Sequence, residues 1–234
     1  ERMTPAELFE VDQFLAGGGH VLVLHDPERV DLRTVEAVPL ETGIDAWLAG
    51  RGVRVLPQML WDESGFPYPI PSPPVQMPDG RTVQAPPKTV NYGLWTMVQD
   101  DGLAADHIVS LGLRNLCFLW AHGLVLEGLP AGVEGEVLVS SSARTGLLSG
   151  DFELEPYLEN AAKLERQARF GGEPRSYALV VALRGALPSA SALQHAPRAG
   201  RQAVPAAAPR PPAVAPAAPT SPTPATPLAP HSPL

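Results

Sequence analysis

The sequence predicts an α/β domain with a mainly parallel, Rossmann- or flavodoxin-like sheet and flanking helices, followed by a disordered tail. Three observations lead there. A helix, glycines and a short apolar strand occur in that order twice, at residues 5–25 and 44–56. Such alternation packs helices on the faces of a parallel sheet. An amphipathic helix at 154–170 then runs into a further apolar strand at 177–183. From Pro197 onward there are twelve prolines in 38 residues and no aromatic side chain, too little apolar surface to offset the entropy of ordering. The domain is therefore expected over residues 1–190 and the tail over 191–234.

The elements follow from local chemistry. Thr4-Pro5-Ala6-Glu7 starts a helix: Thr4 caps it, Pro5 suits the first turn and Glu7 completes a capping box. Leu8, Val11, Phe14 and Leu15 recur at helical spacing, and Gly17-Gly18-Gly19 ends the helix. These glycines precede a strand rather than follow one, so they are not a dinucleotide fingerprint. Residues 20–25 (HVLVLH) read as a buried strand stopped by Asp26-Pro27. Residues 44–49 repeat as a short helix, with a strand at 53–56 stopped by Pro57. Further strands are expected at 94–98, 115–121 and 136–140. Residues 65–87 hold eight prolines in 23 and read as one long extended loop, of the kind that carries function or stays disordered.

Charge narrows the function classes. Residues 1–190 carry 14 basic against 25 acidic side chains, a net −11, and the tail carries +3. A domain this acidic does not suit phosphate backbones, so nucleic-acid binding is disfavoured. The single cysteine, Cys117, permits no internal disulfide. The longest apolar stretch, 116–129, contains His122 and Glu127 and is too short to span a bilayer. The six histidines form no metal-binding pair, and Asp100, Asp101 and Asp106 lack calcium-loop spacing, so neither a metal nor a cofactor is expected.

Several positions carry candidate chemistry. His25 and Asp26 fall at the carboxyl end of an expected strand, where open α/β sheets hold ligands; the plainer reading is an Asp-Pro turn. Ser140, Ser141 and Ser142 with Arg144 follow another strand, and hydroxyls beside a guanidinium can hold an anion; the plainer reading is a solvated strand end. Cys117 can act as a thiol nucleophile beside His107 or His122, or fill the core as a small hydrophobe. Trp47, Trp61, Trp95 and Trp120 read as packing residues.

Taken in order, these segments resemble a known family. The residues that carry the likeness are 9–27 (FEVDQFLAGGGHVLVLHDP), 44–62 (IDAWLAGRGVRVLPQMLWD), 106–126, 137–148 (VLVSSSARTGLL) and 177–190 (YALVVALRGALPSA). They resemble the auxiliary component of an uncharacterised bacterial ABC-type transport system of the gliding-motility type, whose fold is related to a domain of an intraflagellar-transport protein. The likeness covers residues 5–190. Earlier strands and flanking membrane helices of the family have no counterpart, so the chain is expected to be N-terminally incomplete and to reach the membrane through regions it lacks.

The resemblance implies a non-enzymatic accessory domain of a transporter or gliding-motility complex. It would work with ABC permease and ATPase subunits on the extracytoplasmic side of the membrane, and no catalytic residues come with it. Recognition of a protein partner or carbohydrate-like ligand is expected at His25, Asp26, Ser140, Ser141 and Arg144 and on the Pro-rich segment 65–87. Two alternatives remain at this stage. One is a hydrolase or amidotransferase-like enzyme using Cys117 or a strand-end serine. The other is a scaffold whose Pro-rich segments dock onto polyproline-binding partners.

Overall fold

The computed structural model describes residues 2–170, 173–187 and 189. The tail expected at 191–234 lies outside the described residues. In chain order, helix α1 (Pro5–Ala16) is followed by β1 (Glu28–Asp31), β2 (Glu36–Pro39), α2 (Ile44–Ala49) and β3 (Val53–Asp62). Next come β4 (Gly65–Ile70), β5 (Pro74–Gln76), β6 (Thr82–Gln84), β7 (Lys88–Val98) and a 3-10 turn at Asp100–Gly102. Then β8 (Leu116–Leu119), β9 (His122–Leu126), β10 (Val133–Ser140), β11 (Thr145–Leu148), α3 (Leu158–Phe170) and β12 (Ala178–Gly185) complete the order.

A five-stranded sheet runs β10-β12-β9-β3-β11, and a three-stranded sheet runs β4-β7-β8; β1-β2 and β5-β6 are separate pairs. Every one of these pairings is antiparallel. The expectation of a mainly parallel, Rossmann- or flavodoxin-like sheet is therefore overturned. Parallel neighbours need a helical crossover of a dozen or more residues between them. Here α1 precedes and α2 follows the separate β1-β2 pair. Helix α3 joins β11 to β12, which are not neighbours. Most remaining strands follow one another through short turns, which suits antiparallel pairing.

The strand expected at 20–25 is absent. Those residues pair with no described strand, and Leu22 and Leu24 are 81% and 87% exposed. Apolar composition yields a strand only where a neighbour meets the backbone and a core meets the side chains. Helix α1 forms as expected: Glu7 N donates to Thr4 Oγ1 at 3.3 Å, and Thr4 N donates to Glu7 Oε2 at 2.7 Å. Its one buried side chain is Asp12, which pairs with the buried Arg51 just beyond α2 and accepts from Trp47 Nε1 at 3.0 Å.

The Pro-rich segment is not one extended loop. Pro67 and Pro69 alternate with Phe66, Tyr68 and Ile70 along β4, an edge strand paired with β7. The prolines point outward and the other three are half-buried. An edge strand tolerates proline where its missing N–H faces away from the ladder. Phe66 and Tyr68 each lie 5.5 Å from the Trp95 ring centroid. Beyond them, β5 and β6 form a hairpin closed by Met77 N donating to Arg81 O at 2.7 Å, with Gly80 at φ 83°.

Strand β3 organises the core. Met59 and Trp61 face Tyr92 and Leu94 of β7, Leu148 of β11, Leu154 just before α3, and Leu164 and Ala168 of α3. Leu56 and Leu60 face Val98, Leu138, Val139, Tyr177 and Leu179. This is the two-residue alternation of a strand buried on both sides. Pro57 sits in a register shift between Val55 and Met59, so β3 continues through it instead of stopping.

Candidate functional site

The end of β10 bends where its register against β12 shifts between Val137 and Ser140. The chain then crosses to β11, on the far edge of the sheet, through Ser141-Ser142-Ala143-Arg144. A crossing this short needs its polar groups satisfied from nearby. Ser141 N donates to Tyr177 O at 2.9 Å, and Tyr177 N returns a bond to Ser141 Oγ at 2.9 Å. Thr145 Oγ1 donates to Ser142 O at 2.9 Å and shares a hydroxyl–hydroxyl hydrogen bond with Ser141 Oγ at 2.9 Å. Ser176 Oγ donates to Ser141 O at 2.8 Å.

The anchor of the turn is Asp62, at the end of β3 and fully buried. Its carboxylate accepts from Ser142 Oγ at 2.5 Å, from Ser142 N at 2.9 Å and from Ser64 N at 2.9 Å. These N–H and O–H donors replace the water that a buried carboxylate gives up. Sequence reasoning missed Asp62. The signal available was Asp62-Glu63-Ser64 directly after a strand, the spacing at which an Asp side chain bonds the backbone two residues on.

Above this turn lies a cleft of about 270 Å³ lined by Ser64, Gln99, Asp101, Ser140, Ser141, Ser142 and Ser176, among others. Gly102 forms part of its wall, and a Cβ there would sit 2.6 Å from Ser140 O. Ser140 and Ser141 both line this cleft. Arg144 is not with them. Its Nε contacts Glu63 Oε2 at 2.5 Å, and it borders a separate hollow of about 160 Å³ with Trp61, Gly146, Ala168 and Pro174. Among the described residues that line the cleft, Asp101 alone is charged, so its chemistry suits hydroxyl, amide or cationic groups rather than an anion.

His25 and Asp26 line neither hollow. His25 Nε2 meets Asp45 Oδ1 at 2.8 Å, at the start of α2. Partial burial raises the Asp26 carboxyl above the usual carboxylate range, against the opposing pull of His122 and His25. His122 is buried, donates or accepts through Nδ1 at Leu56 O, 3.0 Å away, and holds Nε2 3.8 Å from Glu28 Oε2.

The Ser142 hydroxyl meets a carboxylate directly, with no imidazole between them to accept its proton. Cys117 is exposed on β8, contrary to a place in the core, yet packing around the sulfur raises its thiol above the ordinary range, opposite to activation. His107, offered as its partner, is buried in the β7–β8 connection, where its Nδ1 accepts from Val109 N at 3.2 Å. Among the described residues no group of His, Cys, Asp and Glu gathers into a metal-binding set, and no helix is long and apolar enough to cross a membrane.

No curated protein and no solved structure matches the chain. A match to a family model does place it: the model, described as an ABC-type uncharacterized transport system, covers residues 1–219, and the chain belongs to this auxiliary transport family.

Proposed function

We propose that this domain is a non-enzymatic accessory module that works with the permease and ATPase subunits of an ABC-type transport system on the extracytoplasmic side of the membrane. Its role is recognition of a protein partner or carbohydrate-like ligand at the serine-lined cleft. The observation that carries this reading is the cleft itself. Ser64, Gln99, Asp101, Ser140 and Ser176 line it with hydrogen-bonding groups, on a turn fixed by Asp62. Hydroxyls and amides of this kind exchange bonds with a polyhydroxylated or peptide ligand at little reorganisation cost.

The test is purification of the full-length protein from detergent-solubilised membranes of its host. Recovery of a permease and its ATPase supports the reading. Asp101→Ala and Ser140→Ala should then weaken ligand capture on glycan and peptide arrays without disturbing the fold. A protein that returns alone, with no transport subunit, overturns the accessory role.

A further inference from the structure

The connection between β7 and β8 contains a turn built inside out. At 107–113 (HIVSLGL) the polar residues His107 and Ser110 are buried, at 7% and 3% exposure. The apolar ones face solvent: Ile108 at 83%, Val109 at 59%, Leu111 at 71% and Leu113 at 40%. This is not a loose loop. Ser110 Oγ donates to Ala104 O at 2.6 Å, Leu111 N donates to His107 O at 2.9 Å, and Leu113 N donates to Ser110 O at 3.1 Å. Val109 N donates to the His107 ring. The buried polar pair therefore holds the backbone in the one conformation that turns four large apolar side chains outward. A contiguous exposed apolar patch held on a rigid support marks an interaction surface.

The surrounding charge selects the kind of partner. The same connection carries exposed Asp100, Asp101 and Asp106 against the single Arg114. A membrane-docking segment shows the opposite balance, because bilayer surfaces attract Lys and Arg. Three exposed carboxylates on the connection that carries the apolar turn complement an apolar groove with a basic rim. We infer that the 107–113 turn is a protein-docking element that inserts Ile108 and Leu111 into an apolar groove bordered by Lys or Arg on a partner chain. The inference rests on the accessory reading only for the partner's place in the transport system.

The test is photo-crosslinking in the host, using the full-length protein with Ile108→p-benzoylphenylalanine, and the same protein with Leu111→Ser added. Both positions are exposed, so thermal unfolding should be unchanged. A crosslink to the permease subunit is expected, mapping by mass spectrometry to an apolar segment flanked by basic residues. Leu111→Ser should lower its yield about tenfold or more, and added salt should lower it further. A crosslink of this kind to a protein outside the transport system keeps the docking element and overturns the accessory reading. Co-purification of the transport subunits without a crosslink at position 108, or with a yield that Leu111→Ser leaves unchanged, overturns the docking element and keeps the accessory reading. Crosslinking to lipid, or to nothing, also overturns it.

Discussion

The carboxylate of Asp62 and the hydroxyl of Ser142, 80 positions apart in the chain, meet at 2.5 Å and join the end of β3 to the turn that floors the serine-lined cleft. Asp62 also accepts two backbone N–H bonds, so a single buried side chain satisfies two segments at once. Removing it should cost more than removing its partner. Asp62→Ala is expected to lose about 2–4 kcal/mol of stability by leaving buried donors unpaired, and Ser142→Ala about 1–2 kcal/mol. Urea unfolding measures both. A loss for Asp62→Ala no larger than that for Ser142→Ala would show that the turn is held by other contacts.

Arg51 and Asp12 form a second buried link, between the segment after α2 and the middle of α1. Arg51 is 1% exposed and Asp12 2%. The guanidinium lies 3.8 Å over the Trp47 ring and donates to Trp47 O at 2.7 Å. Burial lowers the Arg51 pKa, and the Asp12 charge works against that shift. Breaking such a pair strands a charge, so Asp12→Ala should destabilise by about 3–5 kcal/mol. The double change Asp12→Leu with Arg51→Met should recover most of the loss. Failure of the double variant to recover would mean that the pair specifies the geometry of α1 beyond its charge.

Tyr92 supplies a pH signature. Burial pushes its phenol up to about 12 from an ordinary 10.0. The unfolded phenol ionises first, so the contribution of Tyr92 is complete below pH 10 and is lost as pH rises toward 12. Tyr92→Phe should flatten that fall in a pH series of unfolding free energies. Tyr157 is also raised to about 12, through its hydrogen bond to Glu153. Absorbance at 295 nm should therefore show Tyr92 and Tyr157 ionising late. Glu153→Gln should return Tyr157 to the ordinary range and leave Tyr92 where it is.

Cys117 should behave as an accessible but unactivated thiol. A disulfide reagent is expected to label it in the native protein without unfolding, at a rate that climbs with pH through and beyond the ordinary thiol range. Fast labelling at neutral pH, quicker than a small free thiol, would reopen nucleophilic chemistry at this position.

Local chemistry was readable along the chain. The capping box at Thr4 and Glu7, helix α2 at 44–49, and strands within β3, β7, β8, β10 and β12 all lie where the pattern predicts them. Helix α3, expected from 154, starts only at Leu158; it buries Ala161, Leu164 and Ala168, and Leu154 is buried just ahead of it. The prolines of 65–70 misled because proline spacing alone does not separate a polyproline stretch from an edge strand. The alternation Phe66-Pro67-Tyr68-Pro69-Ile70, with period two, carried that distinction. Of the five expected site residues, Ser140 and Ser141 share the cleft, Arg144 borders the next hollow, and His25 and Asp26 lie at neither.

The amino-acid order by itself determined several of the short segments that become helix or strand, the start of α1, and the family to which the chain belongs, because these depend on neighbours a few residues apart or on the succession of segments. Only the tertiary structure decided that the strands pair antiparallel, that residues 20–25 pair with nothing, and that Asp62 meets Ser142. Pairing direction and buried polar contacts depend on groups tens of residues apart, and hydrophobic periodicity says which face is buried without saying against what. The outward turn at 107–113 shows the same limit, since apolar spacing cannot distinguish side chains that enter the core from those held out of it by a buried serine and histidine.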